Sequence, residues 1–393
     1  MKNLKPHSLR MLFLSTSAFA VSFGVWGLIG ALAPTFAQMH HLSGKAKGLM
    51  IAVPVLLGAL GRIPAGILAD RFGGRRIFAL LLLVGAIPAA LIGLSTSYWQ
   101  LLFLGLFLGI AGSTFPVGVG FTSKWFRPNQ QGSALGIYGM GNIGQSIAVF
   151  GAPVLAIALG SWRPVFFIFA GVSMIWAIVF YLFARDAFSN PNPKTLSEIF
   201  GTLRRERMAW ILSLFYFLTF GGFVAFSIYL PTLLKDMFKL TASDAGARTA
   251  GFVILATLMR PLGGMLADRF GGARILTPVF LAVAVFAALM GCPSIPVFTV
   301  GALGAAAALG LGNGAVFKLV PEYFPQDTAT VTGLVGAFGG LGGFFPPLVL
   351  GVIKDATSTY TLGFLLLALF AFGCLMVNIW IFHKRQRVSL ATA

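Results

Sequence analysis

Gly61-Arg62-Ile63-Pro64-Ala65-Gly66-Ile67-Leu68-Ala69-Asp70-Arg71-Phe72-Gly73-Gly74-Arg75-Arg76 returns 198 residues later as Met259-Arg260-Pro261-Leu262-Gly263-Gly264-Met265-Leu266-Ala267-Asp268-Arg269-Phe270-Gly271-Gly272-Ala273-Arg274. Leu-Ala-Asp-Arg-Phe-Gly-Gly is identical in the two copies. Each copy also carries an arginine eight residues before its aspartate, inside an otherwise apolar run. A charge set twice at the same unfavourable place in a repeat shows how the chain is organised and where to look for its chemistry.

Around these copies the chain is strongly apolar. Of 393 residues, 58% are hydrophobic and 10% charged, with a mean hydropathy of +0.90; soluble domains carry about 25% charged residues. Apolar runs long enough to span a bilayer as helices recur near 11–36, 46–69, 77–95, 99–123, 132–159, 163–184, 208–233, 246–267, 275–291, 296–320, 329–352 and 360–382. The expected fold class is an all-α polytopic membrane protein. The first run is too long for a removable signal peptide and lacks its small-residue cleavage site.

The net charge of +18 follows membrane topology, so no nucleic-acid partner is expected. In a twelve-span arrangement one side holds Lys2, Lys5, Arg10, Arg71, Arg75, Arg76, Lys124, Arg127, Arg185, Lys194, Arg204, Arg205, Arg207, Arg269, Arg274, Lys384, Arg385 and Arg387. The other holds Lys45, Lys47, Arg163, Lys235, Lys239, Arg248 and Lys354. The excess of cations on cytoplasmic loops places both termini and the central loop in the cytoplasm and the protein in the cell membrane. Cys292 and Cys374 read as small apolar side chains, and His40-His41 as a solvated loop. No metal or cofactor is expected.

The polar segment 186–206 divides the chain into six-span halves, 1–185 and 207–393. The halves repeat beyond the opening stretch: Trp125-Phe126 precedes Tyr323-Phe324 by 198 residues, and Gly136-Ile137-Tyr138-Gly139 corresponds to Gly333-Leu334-Val335-Gly336. Parallel repeats about an axis along the membrane normal are one plan for transporters. Small residues crowd 106–144, 301–314 and 333–343, where they permit close helix packing in lipid. Gly139-Met140-Gly141-Asn142-Ile143-Gly144 matches a dinucleotide-binding pattern, but it lies inside a span with no preceding strand.

Arg62 and Arg260 lie about 12 Å inside their aspartates at 1.5 Å per residue, close to the midplane of a hydrocarbon core about 30 Å thick. An arginine there costs about 2.5–3.5 kcal/mol and normally faces the bundle interior. All ten acids fall in loops or at helix ends, so no carboxylate is expected at that depth. Two guanidinium forks converging from related helices then describe an oxyanion site. In the alternative, each arginine snorkels to the interface or donates to backbone carbonyls. Tyr216 and Asn142 are the polar candidates beside them, because a hydroxyl or amide in lipid needs a partner. With 39 phenylalanines in the chain, composition does not single out Phe115 or Phe220. Glycine-lined walls favour a small anion over a sugar or peptide. No nucleophile with a base, carboxylate pair or ligand cluster appears, so an enzyme is not expected.

The two loops resemble the G-x-L-a-D-R-x-G loop of the major facilitator superfamily. Gly132-Ser133-Ala134-Leu135-Gly136-Ile137-Tyr138-Gly139-Met140-Gly141-Asn142-Ile143-Gly144 and Gly333–Gly343 resemble the paired nitrate signatures of the nitrate/nitrite porter family. The resemblance covers essentially the whole chain. It implies that Arg62 and Arg260 clamp nitrate or nitrite, that Tyr216 and Asn142 hydrogen-bond it, and that Phe115 and Phe220 sandwich it. Gly66, Asp70, Arg71, Gly264, Asp268 and Arg269 then belong to the gating loops. There the aspartates are expected to hold one access state through ion pairs and helix-end interactions between neighbouring spans. Gly74 departs from the superfamily loop, which carries a basic residue there. The family contains exchangers and proton-coupled importers. The expected function is alternating-access nitrate/nitrite exchange by a monomer. The alternatives are proton-coupled nitrate import and transport of another small oxyanion or a monocarboxylate.

Overall fold

Twelve helices are long and apolar enough to cross a membrane in the computed structural model, which describes residues 6–42, 44–187, 201 and 204–383. They are α1 His7–Met39, α2 Gly48–Phe72, α3 Gly74–Gly93, α4 Tyr98–Ser123, α5 Pro128–Ala158, α6 Arg163–Phe183, α7 Arg207–Phe238, α8 Asp244–Phe270, α9 Gly272–Met290, α10 Ile295–Tyr323, α11 Thr328–Lys354 and α12 Thr361–Phe382. Each takes up one of the twelve apolar runs. Several run a turn or more past it, since a helix continues into the polar interface where hydropathy no longer marks it. Most of the segment expected as a linker, 188–200 and 202–203, lies outside the described residues.

Contacts group the chain into two compact units. One comprises residues 1–127, 137–209 and 323–337; the other comprises 128–136, 210–322 and 338–393. Within the first, α1 packs along α5 and α6, and α3 along α6; within the second, α9 packs along α12. Small residues make these contacts close. A Cβ on Gly144 of α5 would run into the carbonyl of Ala20 on α1, so only glycine lets the two backbones approach this far.

Two spans of the first unit change helix type at depth. α4 tightens to a 3-10 helix over Gly109–Ser113, and α5 does so over Met140–Asn142. Such segments alter the regular carbonyl ladder, and backbone groups so released must find other donors inside a membrane.

The repeated loops close onto helix N-termini. In the first unit Asp70, near the end of α2, accepts from the Thr330 amide of α11 at 2.8 Å and from Lys124 Nζ at 3.4 Å. In the second, Asp268 accepts from the amides of Gly132 and Ser133 in α5 at 2.8 and 2.7 Å, and from the Ser133 hydroxyl at 2.7 Å. Lys318 Nζ adds a cation 3.8 Å away. A carboxylate at a helix N-terminus satisfies amides with no intrahelical acceptor and meets the positive end of the dipole. Gly66 and Gly264 make this possible, because a Cβ on either would strike the carbonyl of Ala329 or Gly132.

At the other end of the second unit, Tyr360 donates to Asp236 at 2.8 Å. Burial first, then hydrogen bonds with Tyr229 and Asp236, push its phenol above the ordinary range, so it remains a proton donor at physiological pH.

The unequal caps order two substitutions. Asp268→Ala, which strands three donors, is expected to lower the thermal unfolding midpoint in detergent by a few degrees, at about 1–2 kcal/mol for a lost cap. Asp70→Ala is expected to lower it less. Differential scanning fluorimetry of both variants reads the order directly, and the reverse order contradicts the assignment.

Candidate functional site

Arg62 follows Gly61, where α2 breaks for one residue before resuming. The glycine is required by space, because a Cβ there would collide with Ser113 Oγ of α4. That close approach brings the Arg62 side chain to the 3-10 segment of α4. Arg62 Nε donates to the Gly112 carbonyl at 3.2 Å, and Nη1 to the Gly336 carbonyl of α11 at 2.6 Å. Its Cζ lies 5.8 Å from the centre of the Phe115 ring, within reach of a cation–π attraction. Both of these carbonyl partners are neutral and orient the fork.

Phe115 is itself fixed. Phe19 lies 5.4 Å from it, Tyr138 stacks at 5.8 Å, and the Tyr138 hydroxyl donates to the Phe115 carbonyl at 3.1 Å. Asn142 stands four residues beyond Tyr138, at the end of the second 3-10 segment. It is 5% exposed, and neither its amide oxygen nor its nitrogen has a hydrogen-bond partner among the described residues. An amide left so in a membrane interior is costly unless something else uses it.

The second unit builds a related group. Arg260 Nη2 donates to Tyr216 Oη at 3.0 Å, and Arg260 Cζ lies 5.6 Å from the centre of the Phe220 ring. Tyr216 and Phe220, four residues apart on α7, stack at 4.9 Å with 7° between planes. Phe317 of α10 meets Tyr216 edge-on at 4.5 Å. A Cβ at Gly339 would strike the Tyr216 ring, so α11 can lie against it only as backbone.

Sequence reasoning thus named residues that the fold places in two groups: Arg62 with Phe115 and Tyr138, Asn142 standing four residues on in α5, and Arg260 with Tyr216 and Phe220. Both arginines are 2% exposed, so neither snorkels. Donation to backbone carbonyls, the other half of that alternative, does occur at Arg62. In the loops the aspartates do not pair with their neighbours in sequence, since adjacent helical residues do not face each other. Arg71 lies over Phe72 at 5.4 Å and Arg269 over Phe270 at 5.0 Å, while Lys124 and Lys318 take the carboxylates. Lys318 escaped the sequence reading. It is buried in α10, donates to the Pro128 carbonyl, and stands 3.9 Å from Glu322. A lone lysine in the apolar run Ala315–Val320 was the available signal.

Residues 14–317 and 212–392 match the family model described as Major Facilitator Superfamily. The chain is 40% identical to the "Nitrite extrusion protein" of Bacillus subtilis, over 95% of each chain. It is 36% identical to the "Probable nitrate transporter NarT" of Staphylococcus epidermidis, over 96% of this chain and 98% of that one. It is 35% identical to the "Probable nitrate/nitrite antiporter NarK1" of Thermus thermophilus, over 93% of this chain and 90% of that one. Among solved structures, the human organic anion transporter MFSD10 superposes with a TM-score of 0.81 at 16% identity, covering 95% of this chain and all of that one. The Escherichia coli fucose:proton symporter superposes at 0.78 with 18% identity, over 95% and 99%. These two likenesses concern the fold alone.

Arg62→Lys and Arg260→Lys keep the charge but remove the planar fork. Each is expected to cut nitrate uptake into proteoliposomes by about a hundredfold or more, as loss of a charged bidentate contact of about 3 kcal/mol would. Near-normal uptake by a correctly inserted lysine variant would contradict the role.

Proposed function

We propose, from the premise that the chain belongs to the Major Facilitator Superfamily and within it to the nitrate/nitrite porter family, that it carries nitrate and nitrite across the cell membrane by exchanging one for the other. The observation that carries this reading is the pair of arginines, equally buried and each set over a phenylalanine at nearly the same distance. A guanidinium fork matches a planar oxyanion by paired hydrogen bonds, and aromatic faces suit a flat ligand. We assign Arg62, Phe115 and Asn142, with Arg260, Tyr216 and Phe220, to the anion. Tyr216 and Asn142 supply further donors.

The charges also argue for exchange. A buried cation in low dielectric is costly, and a bound anion relieves that cost. The loaded carrier therefore changes access more readily than the empty one, which favours trading one anion for another. A proton symporter most often places an Asp, Glu or His near its substrate, yet His7, His40, His41 and His383 stand at span ends. The Asp70 and Asp268 caps are the contacts that open and re-form as access changes. The cationic ends at Arg71, Arg75 and Arg76 face the cytoplasm with both termini. One chain holds both arginines, so a monomer suffices, acting as a carrier and not as an enzyme.

Nitrate uptake is measured in proteoliposomes preloaded with nitrite or left empty, with and without an inward proton gradient. Internal nitrite is expected to accelerate uptake strongly, and the gradient alone to add little. Strong gradient-driven uptake into empty vesicles, with little effect of internal nitrite, would overturn the exchange reading.

A further inference from the structure

One buried amide in α10 remains outside every group described above. Asn313 is 2% exposed, and its Oδ1 has no hydrogen-bond partner among the described residues. Its surroundings follow from its neighbours. A Cβ on Gly312 would meet Thr219 of α7 and Val279 of α9, and one on Gly314 would meet the carbonyl of Arg260 on α8. At about 3.6 residues per turn, Asn313 lies on the arc between those two directions. It also lies one turn before Phe317, whose ring meets Tyr216. The register therefore sets the amide in the wedge between α7, at Thr219 and Tyr216, and the α8 backbone at Arg260. The Thr219 hydroxyl, fully buried, likewise has no hydrogen-bond partner among the described residues.

A buried Oδ1 without a partner at that depth is costly and calls for an explanation other than packing. A half-turn about its last torsion exchanges oxygen and NH2, so the unfilled end can present a donor. We infer that Asn313 is a specificity-determining residue of the Arg260 group, donating to the third oxygen of nitrate. This rests on the transport reading above. A guanidinium fork engages two oxygens of a planar anion. Nitrite has only those two, whereas nitrate presents a third oxygen that a donor beside the Arg260 fork can engage. A site with a donor for that oxygen discriminates against the anion lacking it.

The test is the half-saturation concentration for nitrate and for nitrite, measured by counterflow into proteoliposomes with wild-type protein, Asn313→Leu and Asn313→Asp. Asn313→Leu is expected to raise the value for nitrate about tenfold or more, as loss of one hydrogen bond to a charged group would. The value for nitrite should stay within about threefold of wild type, so the ratio of the two moves. Asn313→Asp, nearly isosteric but anionic, should weaken both. Should Asn313→Leu fail to insert, the same ratio is read on Asn313→Ala. Equal losses for both anions, or no loss of nitrate affinity in the leucine or alanine variant, overturn the assignment and leave the transport reading intact. Wild-type protein that carries neither anion refutes the transport reading, and this inference with it.

Discussion

Two guanidinium groups are held deep in a hydrocarbon-level interior, and the surrounding fold accommodates them. The insertion cost of an arginine at that depth, about 2.5–3.5 kcal/mol on one scale, is met in part by local neutral groups. At Arg62 the 3-10 segment of α4 turns the Gly112 carbonyl out to accept from Nε, and α11 contributes the Gly336 carbonyl. At Arg260 the Tyr216 hydroxyl does the same work. Each cation also rests on a phenylalanine face. These partners fix the direction of each guanidinium group.

The repeat is preserved in geometry and broken in charge. Both loop aspartates cap a helix N-terminus, Asp70 on α11 and Asp268 on α5. The accompanying cations are not equivalent. Lys124 corresponds in the second copy to Glu322, and there the cation is supplied from within α10 by Lys318. Lys318 lies between two carboxylates and a carbonyl, so the second cap is tied more firmly than the first. The two caps are therefore of unequal strength.

Much of this was legible in the sequence because membrane physics leaves few options. Twelve apolar runs gave twelve spans, and an arginine repeated at the same register declared itself by its cost. Phe115 and Phe220 were different: among 39 phenylalanines they became visible only through family resemblance, since aromatic residues are ordinary in lipid. The carbonyl partners of Arg62 were not legible. They depend on a change of helix type at Gly109–Ser113, which hydropathy does not register. Lys318 was missed because a single lysine near a span end reads as an interfacial charge, and its burial depends on Pro128 and Asp268 arriving from other helices. Asn313, in a small-residue stretch, reads as packing until its oxygen is found without a partner.

Direct contact between the anion and both arginines is the central claim. Solid-state NMR on protein in lipid bilayers, with 13C-labelled arginine and 15N-labelled nitrate, measures it as distance-dependent dephasing of guanidinium carbons by the nitrate nitrogen. Two carbon signals are expected to dephase at saturating nitrate, one disappearing in Arg62→Lys and the other in Arg260→Lys. Dephasing confined to arginines of the loops, or absent at saturation, would contradict the account.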